Sequence, residues 1–566
     1  MQKILRVLII IAMLITSYLL ILAWRDDYAN TPDNHTTTTL TTSNTSDIPS
    51  DTAVASGDIP AASIAGTAVT NATHDGNQAN QDKNLIQVST DLYDIKIDPI
   101  GGDVVYAALK QYDATLNSEQ PFVLLENNHN RVYVAQSGLI GQNGIDTADG
   151  RAIYQTTSNN YVLGLGQQTL SVPLIYKTDD GVTITKTYTF TQGKYPIEVS
   201  YNINNASAQP WQGQLFAQLK RDDSKDPGLA DKGALSMATY LGGAWGTPDD
   251  SYNKLKFGDF KDGKLTASSQ EGWVGMVQHY FVSAWTPNNF SGQFFSRENN
   301  ADYYIGFNSQ PLSVAAGKQN TLSATLYIGP KVQESLKDVA EGLNKTVDYG
   351  FLWPISKVLF AFLQGIHNLI GNWGWAIIVL TLLVKIALMP ISNKSYYSMA
   401  KMRAIAPRLQ ALKDEYGDDR MKMSQEMMNI YKEEKVNPMA GCLPIFLQMP
   451  IFLALYWVLV ESVELRHAPW MFWIQDLSSM DPWFILPLLM GVSMFIQQQL
   501  NPQPTDPMQA KVMKILPIIF TVFMLFFPAG LVLYWTVNNL FSMTQQHVIN
   551  KKVEKEQMQK QTKTVR

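Results

Sequence analysis

Between Trp373 and Ser542 the chain carries five strongly apolar stretches: about Trp373–Ile391, Leu443–Val460, Trp483–Gln497, Val512–Phe527 and Leu531–Ser542. Each approaches the length needed to cross a bilayer once its flanks are included, and a backbone crossing hydrocarbon has to satisfy its own N–H and C=O groups, so these stretches predict helices. The last three are short and require a thin bilayer or little tilt. Trp373, Trp375, Trp457, Trp470, Trp473 and Trp483 lie near the ends, where aromatic side chains settle at membrane–water interfaces. A further apolar run, Val7–Trp24, follows Lys3 and Arg6; the bulky Trp24 leaves no small-x-small cleavage site, which predicts an uncleaved anchor over residues 1–24.

The loops orient the spans. Asn393–Ala440 holds nine Lys and Arg residues, Glu461–Pro482 only Arg466, and the tail beyond Asn550 is basic again. Positive charge concentrates on the cytoplasmic side, so this alternation predicts six spans with both chain ends in the cytoplasm. The bulk composition hides this organisation. A chain of 566 residues with 46% hydrophobic and 16% charged residues and a net charge of −5 averages a membrane half with a soluble half.

That soluble half follows residues 25–83, a Thr-, Ser- and Asn-rich stretch with almost no aromatic residues, expected to be a flexible tether because it cannot offset its ordering entropy. Over 84–330 the periodicity changes to two, as in Val182-Thr183-Ile184-Thr185-Lys186-Thr187-Tyr188-Thr189-Phe190 and Ile197-Glu198-Val199-Ser200-Tyr201. Short alternating strands with Gly, Asn and Pro turns predict a large antiparallel β-sandwich on the periplasmic side. With Cys442 as the single cysteine, no internal disulfide can brace it; Cys442 itself is most simply a small apolar residue at a helix start. Residues 331–372 predict two amphipathic interfacial helices, Lys331 to about Leu343 and Trp353–Ile370, the second carrying Lys357, Gln364 and His367. The five-span core then covers 373–547 and a basic tail 548–566.

Two segments invite a chemical role. Within the loop 393–437, Met399, Met402, Ile405, Leu409, Leu412 and Tyr416 follow three/four spacing, and Met423, Met427, Ile430 and Tyr431 form a second stripe beyond a Gly417-Asp418-Asp419 turn. This predicts a cytoplasmic helical hairpin kinked at Pro407. Its stripe either packs on itself or offers flexible Met side chains to many partners. Lys385 lies inside the first core span, roughly 9 Å from its cytoplasmic end at 1.5 Å per residue. A lysine there costs roughly 2.5–3.5 kcal/mol on insertion scales. Either it snorkels to the headgroups, or it faces a wet cavity open to the cytoplasm. Thr381 one turn away, Gln448, Ser493 with Gln497, and Trp535 with Asn538 and Ser542 supply further polar faces, which act either as cavity lining or as interhelical hydrogen-bond partners.

Enzyme chemistry finds no support. The seven histidines are scattered, and no metal-ligand spacing, phosphate loop or nucleophile elbow occurs; no catalytic residue, metal or cofactor is expected. Two other functions compete: a secondary transporter or channel around Lys385, disfavoured by the lack of an inverted repeat, and an anchored sugar-binding sandwich.

Longer strings carry more information. Gln425-Glu426-Met427-Met428, Tyr431-Lys432 and Lys435-Val436-Asn437-Pro438 lead into Gly441-Cys442-Leu443-Pro444-Ile445-Phe446-Leu447-Gln448-Met449-Pro450-Ile451-Phe452, and Gly530-Leu531-Val532-Leu533-Tyr534-Trp535 follows later. Gly272-Trp273-Val274, Gln278-His279-Tyr280-Phe281 and Thr346-Val347-Asp348-Tyr349-Gly350 fall in matching order upstream. The whole chain resembles the YidC membrane protein insertases of Gram-negative bacteria. The resemblance implies insertion and chaperoning of membrane proteins in the inner membrane, without nucleotide. The implied partners are nascent membrane proteins, the Sec translocon, the ribosome and the lipid bilayer, with no small-molecule substrate. It implies a hydrophilic groove around Lys385, where many relatives carry Arg, and an apolar slide including Met449 and Phe523. Trp535 stands where relatives often have Tyr. Lys551, Lys552 and Lys555 become candidates for ribosome contact.

Overall fold

The alternation beginning at Val182 becomes a hairpin. Strand Val182–Thr191 buries Val182, Ile184, Lys186, Tyr188 and Phe190 on one face. It pairs antiparallel with Pro196–Asn205, in a register running from Val182 opposite Asn205 to Phe190 opposite Ile197, and Gly193, at φ 71°, makes the turn. The computed structural model describes residues 57–62, 84–147, 150–227, 239–416, 419–434, 436–437, 443–501 and 507–564. The expected anchor 1–24, Cys442, and Gly417-Asp418 of the hairpin turn lie outside them.

Two sheets form the first half of the chain. One runs from Thr169–Lys177 through Val182–Thr191, Pro196–Asn205, Lys318–Pro330, Phe281–Asn288, Trp273–Val277 and Gly242–Gly246 to Asn253–Leu255. The other contains Gly292–Asn299, Asp302–Ser309, Trp211–Arg221, Arg131–Ile140 and the strands from Ile86 to Asn128. Neighbours are antiparallel except Ile86–Ser89, which runs parallel to Asn160–Val162. Side chains from both sheets meet in one core, Ile184 and Tyr188 from the first with Leu215, Leu219 and Ile305 from the second.

Lys186 is the polar exception on its buried row. Its ammonium donates to the carbonyls of Gly101 (3.0 Å) and Ser137 (3.1 Å). Beside it Arg151 pairs with Asp103 (2.9 Å) and Asp146 (2.8 Å). Burial pushes the Lys186 amine down to about 7, with Asp103 resisting the shift. The unfolded chain therefore keeps this proton up to about pH 10.5 while the folded chain releases it above about 7. In that window the unfolded state binds more protons, so stability rises with pH, by up to about 1.4 kcal/mol per unit. Melting of the purified protein between pH 7 and 9.5 should move upward, and Lys186→Met should flatten that slope. Identical slopes for the two proteins would remove Lys186 as its source.

Helices build the second half: α1 (Gln333–Lys337), α2 (Trp353–Ile370), α3 (Trp373–Ala404), α4 (Ala406–Tyr416), α5 (Arg420–Glu433), α6 (Leu443–Glu461), α7 (Ile485–Gln499), α8 (Pro507–Met524) and α9 (Ala529–Thr564). Among the described residues, α3 is the helix long and apolar enough to cross a membrane by length and composition, and Phe446–Glu461 is a shorter apolar helix.

Three sequence expectations change. The helix expected from Lys331 to Leu343 contracts to the five residues of α1. Gly342, at φ 82°, turns the chain into a 3-10 turn, Leu343–Thr346, and Leu336 and Leu343 are fully buried instead of lining a lipid-facing stripe. The first hairpin arm is continuous with its span: α3 passes through Pro390 and stops at Ala404, and α4 restarts with Pro407 in its first turn, where a missing N–H costs no hydrogen bond. The tether is pinned midway. Residues 57–62 lie against the sandwich, with Ile59 buried against Ile140 and Phe216.

The two halves share a second core. Trp273, Val282 and Tyr327 of the first sheet pack with Leu336 and Tyr349 and with Leu455, Leu459, Val532 and Tyr534 of the helices. Val463, just past α6, enters the sandwich core itself. Lys331 and Glu461 form a buried ion pair at 3.1 Å, and Lys331 also donates to the Thr346 carbonyl. The His279 ring meets the Val460 carbonyl at 2.7 Å. Arg466 donates to the carbonyls of Asp113 and Ala114 and lies near both rings of the stacked pair Phe122 and Phe281.

Candidate functional site

Helix α9 organises the polar side chains of the membrane half. Leu531, Val532, Leu533 and Tyr534 are buried at its start, and it packs against α3, α6 and α7. Residues one position apart, such as Asn538 and Asn539, then point to different neighbours, while residues four apart share a face. Toward α3, Ser542 Oγ accepts a hydrogen bond from Lys385 Nζ at 2.8 Å and donates to the Asn538 carbonyl at 2.8 Å. Toward α7, Asn539 Nδ2 donates to Ser493 Oγ at 3.0 Å, and Ser493 in turn donates to the Met490 carbonyl. Toward α6, Gln448 donates to the Tyr534 hydroxyl. Further along α9, Gln545 reaches Asn393 and Gln546 reaches Asn501 and the Leu500 carbonyl.

Lys385 decides how this seam is interpreted. Its residue surface is only 6% exposed, so the amine points into the bundle and not along the outside of α3. A snorkelling lysine would keep its head in water. One of its three N–H groups is spent on Ser542. Close by on α9, the buried Asn538 Oδ1 and Trp535 Nε1 have no protein partner. Buried polar groups of this kind cost free energy unless water or a ligand meets them.

Beside the seam lies an apolar surface. The Trp535 ring bridges Phe452 of α6 (centroids 4.7 Å apart) and Phe520 of α8 (5.0 Å). Met449 and Phe523 project outward from those two helices, 40% and 47% exposed. Phe446, Ile519 and Val522 extend the same exposed surface.

Residues 85–362 match the YidC periplasmic domain, and residues 365–557 match the 60Kd inner membrane protein family. The membrane protein insertase YidC of Ectopseudomonas mendocina (strain ymp) is 48% identical over 576 residues, covering 97% of this chain and 98% of that protein. That of Pseudomonas syringae pv. syringae (strain B728a) is 50% identical over 556 residues, with the same coverage. The chain belongs to the YidC family of membrane protein insertases.

The seam collects some of the residues singled out in the sequence and leaves others apart. Lys385 and Ser542 meet directly, and Asn538 joins them through its main-chain carbonyl. Ser493 joins through Asn539, and Gln448 through Tyr534. Thr381 is buried on the Lys385 face, but its hydroxyl is spent on the Ile377 carbonyl of its own helix. Gln497 is half-buried on α7, one turn beyond Ser493. Tyr534 and Asn539 were missed; the pairs Tyr534-Trp535 and Asn538-Asn539, adjacent on a span, were the available signal that α9 is polar on two sides.

In the helical hairpin, Met402, Ile405 and Met427 lie with Leu409, Ile430 and Val436 in a small core between α4 and α5. Met399 is buried and Met423 half-buried. The stripe thus closes the hairpin on itself, assisted by Arg408 paired with Glu433 (2.9 Å). The exposed methionine is Met421, off the stripe. The basic tail is no separate extension: α9 continues through it, with Val553 buried, the Tyr397 hydroxyl donating to Glu556, and Lys551, Lys552 and Lys555 exposed.

Proposed function

We propose that the chain inserts membrane proteins by receiving the polar flanks of a substrate in a groove around Lys385 and passing its apolar segment along α6 and α8, past Met449 and Phe523, into lipid. The observation that carries this is the inward-facing ammonium of Lys385, held by Ser542 beside unpartnered polar atoms of Asn538 and Trp535. A buried charge that costs free energy to insert is a functional feature by default. A polar tail crosses a wet, locally thinned leaflet at less cost than an intact bilayer. The apolar segment gains its free energy from transfer into lipid, so no nucleotide is consumed. Purified protein in vesicles should insert single-span substrates with no nucleotide present; a strict ATP requirement would overturn the mechanism.

Six spans, an amino end, hairpin and tail in the cytoplasm, and a sandwich in the periplasm are part of this proposal, supported by the alternation of basic loops. Protease added to spheroplasts should then cut within residues 25–83 and spare 393–437. Cleavage inside the hairpin of sealed spheroplasts would reverse the topology.

The Sec translocon and the ribosome are proposed partners on the strength of family resemblance. For the ribosome, Lys551, Lys552 and Lys555 share one exposed face of α9. Contact of that face with RNA phosphates releases counterions. Co-sedimentation with ribosomes should therefore fall steeply with salt and weaken when residues after 550 are removed. Equal co-sedimentation of full-length and shortened chains would leave these lysines as ordinary cytoplasmic charge.

A further inference from the structure

The sheet containing Arg131–Ile140, Trp211–Arg221, Gly292–Asn299 and Asp302–Ser309 has two faces. Tyr133, Ala135, Leu139, Leu215, Ala217, Leu219, Ile305 and Phe307 point into the sandwich core. Because strand side chains alternate, Gln136, Ile140, Phe216, Gln218, Lys220, Tyr304 and Asn308 point the other way. Gly57–Ala62 lies on that outer face, and it is held as a peptide ligand is held. Arg297 donates to the carbonyls of Gly57 (2.9 Å) and Asp58 (2.8 Å). Gln218 donates to the same Asp58 carbonyl and Asn308 to that of Ala61 (3.1 Å). The Asp58 carboxylate accepts from Lys220 (2.9 Å) and from the Tyr304 hydroxyl (2.7 Å). Burial alone would raise that carboxyl, but Lys220, Tyr304 and Arg297 more than offset it and hold it below its usual range. Ile59 fills an apolar socket made by Ile140 and Phe216, and Pro60 is buried beside it. Gly57 enters the site at φ 74°, a left-handed conformation that favours glycine.

Eleven residues earlier the sequence repeats itself. Ser46-Asp47-Ile48-Pro49-Ser50 matches Gly57-Asp58-Ile59-Pro60-Ala61 in its three central residues. Those three are the carboxylate, the socket-filling side chain and the buried proline. The first copy has Ser where the site takes Gly at positive φ, a difference that weakens binding on the order of tenfold.

We propose that the outer face of this sheet is a binding site for extended Asp-Ile-Pro peptides, that Gly57–Ala62 is its resident ligand, and that Asp47-Ile48-Pro49 is a second, weaker ligand for the same site. Residues 57–62 are then a docked ligand and not a passing stretch of chain. Exchange between the two copies changes the length of chain running from the amino-terminal anchor to the sandwich by up to about 36 Å, at 3.3 Å per extended residue.

The test uses the full-length protein in detergent and a fluorescein-labelled peptide of residues 56–63. A freed variant, Asp47→Ala/Ile48→Ser/Asp58→Ala/Ile59→Ser, empties the site of both copies. The peptide should bind the freed variant saturably by anisotropy. It should bind the unaltered protein at least about tenfold more weakly, since the resident segment competes at a high effective concentration. In the freed background Arg297→Gln should weaken the peptide on the order of tenfold, and Asn308→Ala, which removes only the Ala61 contact, should weaken it less. A peptide of residues 45–52 should bind roughly tenfold more weakly than the first, and its Ser46→Gly form should recover most of that loss. Melting curves confirm that each variant is folded. No saturable binding to a folded freed variant, or equal binding to freed and unaltered chains, overturns the site. Binding of the first peptide with none of the second overturns the second register.

Discussion

Lys385→Leu should insert very hydrophobic single-span substrates at close to the normal rate and lose on the order of tenfold for substrates whose translocated tails are acidic. The tenfold follows from losing one charge-assisted hydrogen bond of about 1.5–3 kcal/mol between the ammonium and a substrate carboxylate. Hydrophobic substrates are spared because partitioning into lipid drives them unaided. Lys385→Arg keeps the charge and should retain function, although the longer planar guanidinium has to find Ser542 from a different position. Lys385→Glu should be worst, because it repels acidic tails and places its own carboxylate among buried groups. Ser542→Ala should behave as a mild version of the Leu variant, since it frees the amine without removing it. The measurement is insertion of a graded substrate series into vesicles, with equal amounts of each variant reconstituted. Equal insertion of all substrates by the Leu and Lys forms would reduce Lys385 to a structural residue and remove electrostatics from the mechanism.

Breaking the buried pair between the halves should be the largest stability effect in the molecule. Lys331 and Glu461 are each almost fully buried, so Glu461→Gln or Lys331→Met removes one member of a buried ion pair at a cost of about 3–5 kcal/mol. Replacing both, Lys331→Met with Glu461→Leu, should recover most of that loss, short of the Thr346 carbonyl that loses its donor. Thermal unfolding of the three variants in detergent separates the cases. If each single substitution costs no more than an exposed ion pair, under about 1 kcal/mol, the joint is held by its apolar core alone.

Where the sequence carried a period, the structure followed it. Val182–Phe190 and Ile197–Tyr201 alternate and pair as a hairpin. The apolar stretch beginning at Trp373 is a helix, and α2 spans Trp353–Ile370, the expected range. What escaped was long-range. Lys331 looked like the polar face of an interfacial helix because its partner, Glu461, lies 130 residues away. Ile59 looked like one apolar residue in a polar tether because its socket is built from Ile140 and Phe216 on two other strands. At the site, Lys385 stood out by itself as a charge in an apolar run, while Asn539 and Tyr534 became visible only once α9 had three neighbours. The hairpin stripe was legible as a stripe; whether it faced inward or outward depended on α4 and α5 closing on each other, which no single-helix pattern encodes.

Helix α9 runs unbroken from Ala529 to Thr564, about 54 Å at 1.5 Å per residue. One rod thus carries Trp535, Asn538 and Ser542 at one end and Lys551, Lys552 and Lys555 at the other. It rests against α3 where Tyr397 meets Glu556. Hydrogen-bonded helical backbone does not stretch, so a displacement of the lysines along the helix axis is carried undiminished to Asn538 and Ser542. Such a displacement shifts Ser542 relative to Lys385, its hydrogen-bond partner on α3. Whatever binds the lysine-bearing end of this helix thereby has a mechanical grip on the interior of the membrane half.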